Sequence, residues 1–383
     1  MKSLFYKIGE FLFNLTVGAV LFVLSKVDKN GQHALSFFRE LFLKRYQLII
    51  DYNTRALYPS RYFTPSRIKT TTQPGELAIV IQGVITEKDD FTLETVRFYK
   101  KLFKGAIIIL STWDSTSKEL LKKFKDEGCF IVLSKMFKPS GLGNVNYQIC
   151  TSFSGINKAK ELGAKYVLKN RSDLRIYREF SFEYMKTLLE IYPVLGKEIP
   201  LKGRILTLSG LAPQIVCINS YQDFMYFGYT DDMYALFDIP YDERGDDVFA
   251  SSSRRYFDCK YNGVYNAKEV CLDRTPEVYI TTAFLSKYKE CGMTVKDSWQ
   301  FFHDYFLVLD FKAIEAIWYK YQRYTVYGES EGKKACLDRN RNFNSILSAC
   351  IITDKLIYAD WLENEAEKCL MGSKINRDWL KGR

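Results

Sequence analysis

The sequence is poor in the residues that build most metal and nucleophile sites. Its 383 residues include only two histidines, His33 and His303. Its nine cysteines are odd in number, scattered, and never spaced as CxxC. That argues against a zinc site and a disulfide scaffold, and makes reduced thiols in a cytosolic compartment the expectation. No GxGxxG follows the first apolar strand and no GxxxxGK[ST] occurs. A dinucleotide oxidoreductase and a P-loop ATPase are therefore disfavoured. No segment reaches the ~18–20 apolar residues that span a bilayer. No repeat at solenoid or propeller period is present.

What remains is the composition of a globular protein, 47% hydrophobic and 16% aromatic, too apolar for general disorder. The length allows two compact units or one large unit with appendages. The net charge of +10 is uneven, because residues 1–70 carry 11 Lys and Arg against 4 Asp and Glu. The body is near neutral and shows no nucleic-acid motif, so no nucleic-acid partner is expected. Within residues 1–50, an uncharged stretch Phe11–Ser25 precedes a helix-periodic one containing Leu35, Phe38, Leu41 and Phe42 beside Arg39, Lys44 and Arg45. Two readings stay open: a helical hairpin packed on the body, or a basic amphipathic helix on an acidic membrane face.

From residue 75 the pattern alternates. Apolar runs at Leu77–Ile81, Ala106–Leu110, Phe130–Leu133 and Ala164–Lys169 read as strands. Helical spacing fills Phe91–Phe103, a helix opened by a Thr116-x-x-Glu119 capping box, and Gln148–Leu162, with Gly128 and Gly163 as stops. The β-α-β-α-β-α-β order predicts a mostly parallel sheet flanked by helices, with ligands outside the carboxyl ends of the strands. The residues there are polar. Gly83, beside Gln82, lets a ligand approach backbone. Thr112 and Trp113 offer a hydroxyl and a stacking ring. Lys169, Arg171 and Arg175 could neutralise a diphosphate, and Asp173 could hold a divalent cation, Mn²⁺ or Mg²⁺, or a sugar hydroxyl. With Asn146 and Gln148 around the nucleotide, the set suits a nucleotide-sugar pocket. No organic cofactor is expected.

Gly143–Ile176 resembles GT-A glycosyltransferases, in which such a helix lines the nucleotide and a strand ends in a DxD-type acidic tip. The closer resemblance is to the WavE lipopolysaccharide-synthesis family. It is carried by IVIQGVIT (Ile79–Thr86), ILSTWD (Ile109–Asp114), Asn146–Ile176, FMYFGYTDDMYALF (Phe224–Phe237), PEVYITTAFL (Pro276–Leu285) and VLDFKAIEAIWYKY (Val308–Tyr321). It implies a GT-A-like, Rossmann-like α/β fold and a bacterial enzyme of surface-polysaccharide assembly. The sequence departs from the pattern at Ser172, where Thr is usual, and at Tyr147, where Arg is expected. Asp173 is followed at +2 by Arg175 and not by an acid, so arginines could replace the cation.

In the second half, Arg204–Leu208 and Asp223–Gly228 read as strands. Asp231 and Asp232 open a helix, and Pro276-Glu277 open another. An acid must accept the acceptor's proton in an inverting transfer. Glu277 is the first choice and Asp232 the second. Residues 242–255 form a polar loop. The expected organisation is a helical segment over 1–70, a GT-A-like domain over 75–322 and a C-terminal helical extension over 323–383. The expected function is transfer of a sugar from a nucleotide donor to a glycan or lipid-linked glycan, in the cytoplasm or peripherally at the inner membrane face. The alternatives are nucleotidyl or sugar-phosphate transfer on the same fold, and a non-catalytic glycan-binding subunit. Asp173→Ala and Arg175→Ala are both expected to lose donor binding.

Overall fold

The computed structural model describes residues 57–66, 73–208, 223–243, 276–288, 295–309 and 313–319. Of the helical segment expected over 1–70 only residues 57–66 are described, where Pro59–Arg61 form a single 3-10 turn; the polar loop past residue 243 and the extension over 323–383 lie outside the described residues.

Seven strands form one mixed sheet in the order β3-β2-β1-β4-β7-β6-β8. They are β1 Leu77–Gln82, β2 Ile107–Trp113, β3 Phe130–Ser134, β4 Tyr166–Arg171, β6 Ile205–Leu208, β7 Met225–Tyr229 and β8 Phe306–Leu309. β1, β2, β3 and β4 run parallel, as does β6 with β8, while β7 runs antiparallel to both of its neighbours. A second, two-stranded sheet joins β5 Leu174–Arg175 to β9 Ile317–Trp318. This is the mostly parallel α/β sheet flanked by helices that the sequence predicts.

Strand alternation distributes the core. Leu77, Ile79, Ile81, Leu168 and Phe227 face one side, under α1 (Phe91–Leu102), α2 (Lys118–Asp126) and α4 (Ser181–Ile191). Ala78, Val80, Ile109, Val167 and Tyr226 face the other, under α3 (Val145–Glu161), α5 (Thr230–Phe237), α6 (Pro276–Ser286) and α7 (Val295–Tyr305). Because β1 is buried on both faces, its sequence is a continuous apolar run and not an alternating one. α3 packs closest. A Cβ on Gly155 would sit 2.3 Å from Val80, so only glycine lets that helix reach the sheet.

The helix stops fall where the sequence places them. Gly128 and Gly163 follow α2 and α3 with φ of +78 and +75, the left-handed conformation that ends helices. The start of α2 differs. The capping side chain is Ser117, whose Oγ accepts from the Leu120 N–H, and not Thr116. β2 and β4 also run past their expected ends. Ser111, Thr112, Trp113, Asn170 and Arg171 are strand residues. Among the described residues no helix is long and apolar enough to cross a membrane.

Candidate active site at the carboxyl ends of the central strands

β1 and β4 lie side by side, with Gln82 opposite Arg171. Past them, Ser172 ties the β4 tip to the loop after β1. Its N–H donates to the Gln82 carbonyl at 3.0 Å. Its Oγ donates to the Val84 carbonyl, and its own carbonyl accepts from Thr92 Oγ1 at 2.9 Å. The hydroxyl that Ser172 shares with Thr therefore has a structural use. Gly83 sits in this junction at φ +105, within a conformation that disfavours a side chain.

Beyond the junction Arg171 and Asp173 form a fork. Arg171 Nε and Nη2 donate to the two Asp173 oxygens at 2.9 and 3.0 Å. Trp318 Nε1 adds a third donor to Asp173 Oδ2 at 2.9 Å. Burial pushes the Asp173 carboxyl up, but Arg171 and Trp318 outweigh it and hold the group below the usual range. Burial works against the Arg171 charge as well, yet its bonds to Asp173 raise it above the ordinary value. Both side chains keep an exposed part, 25% for Arg171 and 14% for Asp173.

Asp223 completes the group, and the sequence reading gave it no role. Because β7 runs antiparallel to β4, with Met225 opposite Asn170, the residues just before β7 meet the β4 tip. The Asp223 carboxylate lies 4.0 Å from Arg171 Nη1. Only the strand direction reveals this, and no local motif announces it. Glu277, in the first turn of α6, is close enough to act electrostatically on both Lys169 and Arg171.

Several expected ligands have other work. Lys169 is wholly buried. Its Nζ donates to the Asp223 carbonyl at 2.5 Å and lies near the rings of Tyr226 and Phe237. Burial brings its pKa down to about 7, with Asp223 opposing the fall. It supports Asp223 from beneath and does not face the mouth. Arg175 is a clearer correction. Its Nε donates to Thr95, Nη1 to Leu57 and Tyr177, and Nη2 to Phe91, and its guanidinium lies 4.1 Å from the Phe91 ring. It anchors the start of α1 with no exposed surface left for a phosphate. Asn146 is also spent. Its amide nitrogen donates to the Pro139 and Asp242 carbonyls, and its oxygen accepts from the Asp242 N–H. Trp113 is buried edge-on against Tyr147, 5.1 Å away, and offers no stacking face. Tyr147, in place of the expected arginine, also donates to the Phe137 carbonyl.

Gln82 ends β1 and Gln148 lies in the first turn of α3. Gln82 Oε1 accepts from Thr151, and Gln148 Nε2 donates to the Asp223 carbonyl at 3.4 Å. Thr112 is wholly buried on the α1–α2 side of β2, and its hydroxyl has no partner among the described residues. Asp232 is elsewhere. Tyr229 pairs with Tyr166, so α5 begins at the amino end of β4. That is about 16 Å of strand away from Arg171. There the Asp232 oxygens accept the N–H groups of Lys202 and Gly203, each at 2.9 Å. It does not join the group at the β4 tip.

A divalent cation, which the DxD resemblance implies, does not fit at Asp173. Both carboxylate oxygens are taken by Arg171 and Trp318. Among the described residues no group of three His, Cys, Asp or Glu side chains could hold a metal. A guanidinium already occupies the place a cation would take.

A fork of fixed charge at the carboxyl ends of the central parallel strands describes a class of site. The family follows from the sequence. The profile described as WavE lipopolysaccharide synthesis matches residues 77–316, and the chain belongs to that family. No match was found among curated proteins. Two solved structures align loosely. The mannose-1-phosphate geranyltransferase of Thermus thermophilus is 12% identical, with 56% of this chain and 72% of that chain covered at a TM-score of 0.30. A protein of Desulfovibrio desulfuricans, described as a nucleotide-diphospho-sugar transferase, is 11% identical, with 56% and 99% covered at a TM-score of 0.28. At such scores the likeness assigns no chemistry to this chain.

Proposed function

We propose that this protein is a nucleotide-sugar-dependent glycosyltransferase of bacterial surface-polysaccharide synthesis, building lipopolysaccharide core or capsule. The observation that supports it is the Arg171–Asp173 fork beside Asp223 and Glu277, at the strand ends of a chain from a lipopolysaccharide-synthesis family. The donor diphosphate lies against the exposed part of Arg171, and the nucleotide runs over Gly83 toward the carboxyl end of β2. The acceptor is a growing or lipid-linked glycan, reached at the inner membrane face with residues 1–50 as the membrane contact. Its hydroxyl oxygen bonds to the anomeric carbon as the bond from that carbon to the diphosphate breaks. Glu277 takes the hydroxyl proton, and Asp223 replaces Asp232 as the second choice for that role. Arg171 meets the charge that develops on the departing diphosphate. Asp173 orients Arg171 and coordinates no metal.

A thermal-shift screen of UDP, GDP, CMP and their sugars, each with and without Mn²⁺, tests this. A ligand at 100 times its dissociation constant stabilises the folded state by about 2.7 kcal/mol. The expected result is a shift with one nucleotide class, independent of Mn²⁺ and lost in Arg171→Ala. Release of pyrophosphate from a nucleoside triphosphate would make the enzyme a nucleotidyltransferase. Glycan binding with no nucleotide shift would make it a binding subunit.

A further inference from the structure

β9 lies just past residue 316, where the family profile ends; the resemblance in sequence extends through Val308–Tyr321 but gives none of the β9 residues a role. In the fold it straps two walls of the site together. It pairs with β5, setting Trp318 opposite Leu174. The Tyr319 N–H donates to the Asp173 carbonyl at 2.9 Å, and Trp318 Nε1 donates to Asp173 Oδ2 at the same distance. The indole lies 4.3 Å from the Phe224 ring and 5.3 Å from the Arg171 guanidinium. On the other side, Tyr319 stacks on Phe91 at 4.4 Å and its hydroxyl bonds to Asp89. Asp89 and Asp90 have φ of 55 and 49, a conformation that non-glycine residues keep only when their surroundings hold them there.

We propose that Trp318 is a positioning residue for the Arg171–Asp173 fork. This rests on the reading of that fork as the donor-diphosphate site. A two-bond fork ties Arg171 to Asp173, but it leaves the pair free to swing together about the Asp173 side chain. The indole N–H removes that freedom by fixing Oδ2, and its ring covers the guanidinium while Phe224 backs it. The exposed edge of Arg171 is then aimed at the mouth before a donor arrives, which is how a fixed charge does most for a developing one.

Isothermal titration with the nucleotide that shifts the wild type separates positioning from structure. Trp318→Phe keeps the ring and removes the donor. Its dissociation constant should rise about tenfold, as for loss of a hydrogen bond to a charged group, with unchanged stoichiometry. Asp173→Asn should weaken binding too, and the double variant should be no weaker than Asp173→Asn alone. Trp318→His, which keeps a ring N–H, should recover part of the loss. Wild-type affinity in Trp318→Phe overturns the proposal, as does full additivity. So does a fall in stoichiometry at unchanged affinity, which marks a merely structural residue. If the wild type binds no nucleotide, the donor-site reading falls by itself. The unfolding free energies of the wild type, Trp318→Phe, Asp173→Asn and their double variant then decide whether Trp318 acts through Asp173. Non-additive values support it and additive ones overturn it.

Discussion

The two ends of the sheet each hold an aspartate largely out of water, and they treat it in opposite ways. At the carboxyl end, burial raises the Asp173 carboxyl, but a guanidinium fork and an indole N–H more than offset it, so the group stays ionised. At the amino end, burial outweighs the backbone N–H groups of Lys202 and Gly203 and the Lys202 charge, and the Asp232 pKa rises to about 6. A strongly raised carboxyl in a cleft is a common sign of a catalytic acid. Here it marks the structural aspartate, which staples the chain before β6 to the start of α5. The aspartate at the strand tips is instead the one held low and partly open to solvent. What distinguishes the site is the company of a fixed cation.

Removing that cation should have the largest effect. Arg171→Ala leaves the half-buried Asp173 and the buried Asp223 without their guanidinium. Loss of one partner of a buried pair typically costs about 3–5 kcal/mol, and here it should also abolish nucleotide binding. Arg175→Ala sharpens the contrast four residues further on. It strands the Thr95, Leu57 and Phe91 acceptors and should cost about 3 kcal/mol or more in denaturant unfolding. The folded fraction should bind nucleotide with wild-type affinity. Weakened affinity in folded Arg175→Ala would restore it to the donor site and break the distinction between the two arginines.

The pH profile tests the aspartates themselves. The folded pKa of Asp232, about 6, lies above its ordinary 3.8, so the native state keeps a proton that the unfolded state has lost between those values. Stability therefore falls as pH rises from about 4 to about 6, by something on the order of 1–3 kcal/mol. Asp173 has the opposite sign. Its contribution is present above its ordinary pKa and is lost as pH falls through the lowered value. Asp232→Asn should flatten the falling limb and leave the acid limb in place. A profile of unfolding free energy against pH that still falls between 4 and 6 in that variant would show that another group carries the slope.

Much of the fold was legible because the local signals agree. The apolar run of β1, the glycine stops at Gly128 and Gly163, and the β-α alternation all point to one doubly covered sheet. Arg171 and Asp173 were legible as the charged tip of β4. Strand direction was not. Met225–Tyr229 is apolar whichever way it runs, yet its antiparallel course brings Asp223 to the mouth and carries Asp232 away. Arg175 reads like Arg171 in sequence, and only the turn through Ser172 and Asp173 sends it under Phe91. Trp318 reaches Asp173 across 145 residues, a distance at which no spacing rule applies.

Thr112 offers the smallest and cleanest separation of the site from the frame. A buried hydroxyl without a partner is a cost to the folded state, and Thr112 has one while Ser111 beside it donates to the Thr151 carbonyl at 2.6 Å. Thr112→Val replaces the hydroxyl with a methyl group of similar shape. Stability should stay level or rise by up to about 1 kcal/mol, since only an unsatisfied polar group is lost. If that hydroxyl is kept for the nucleotide, affinity should fall a few-fold at the same time, so that the two measurements move in opposite directions. A variant that is more stable and binds equally well would leave the nucleotide on another path from Gly83. One that is less stable would mean the hydroxyl is satisfied by water, and the same comparison at Ser111 would then show how much of that water is structural.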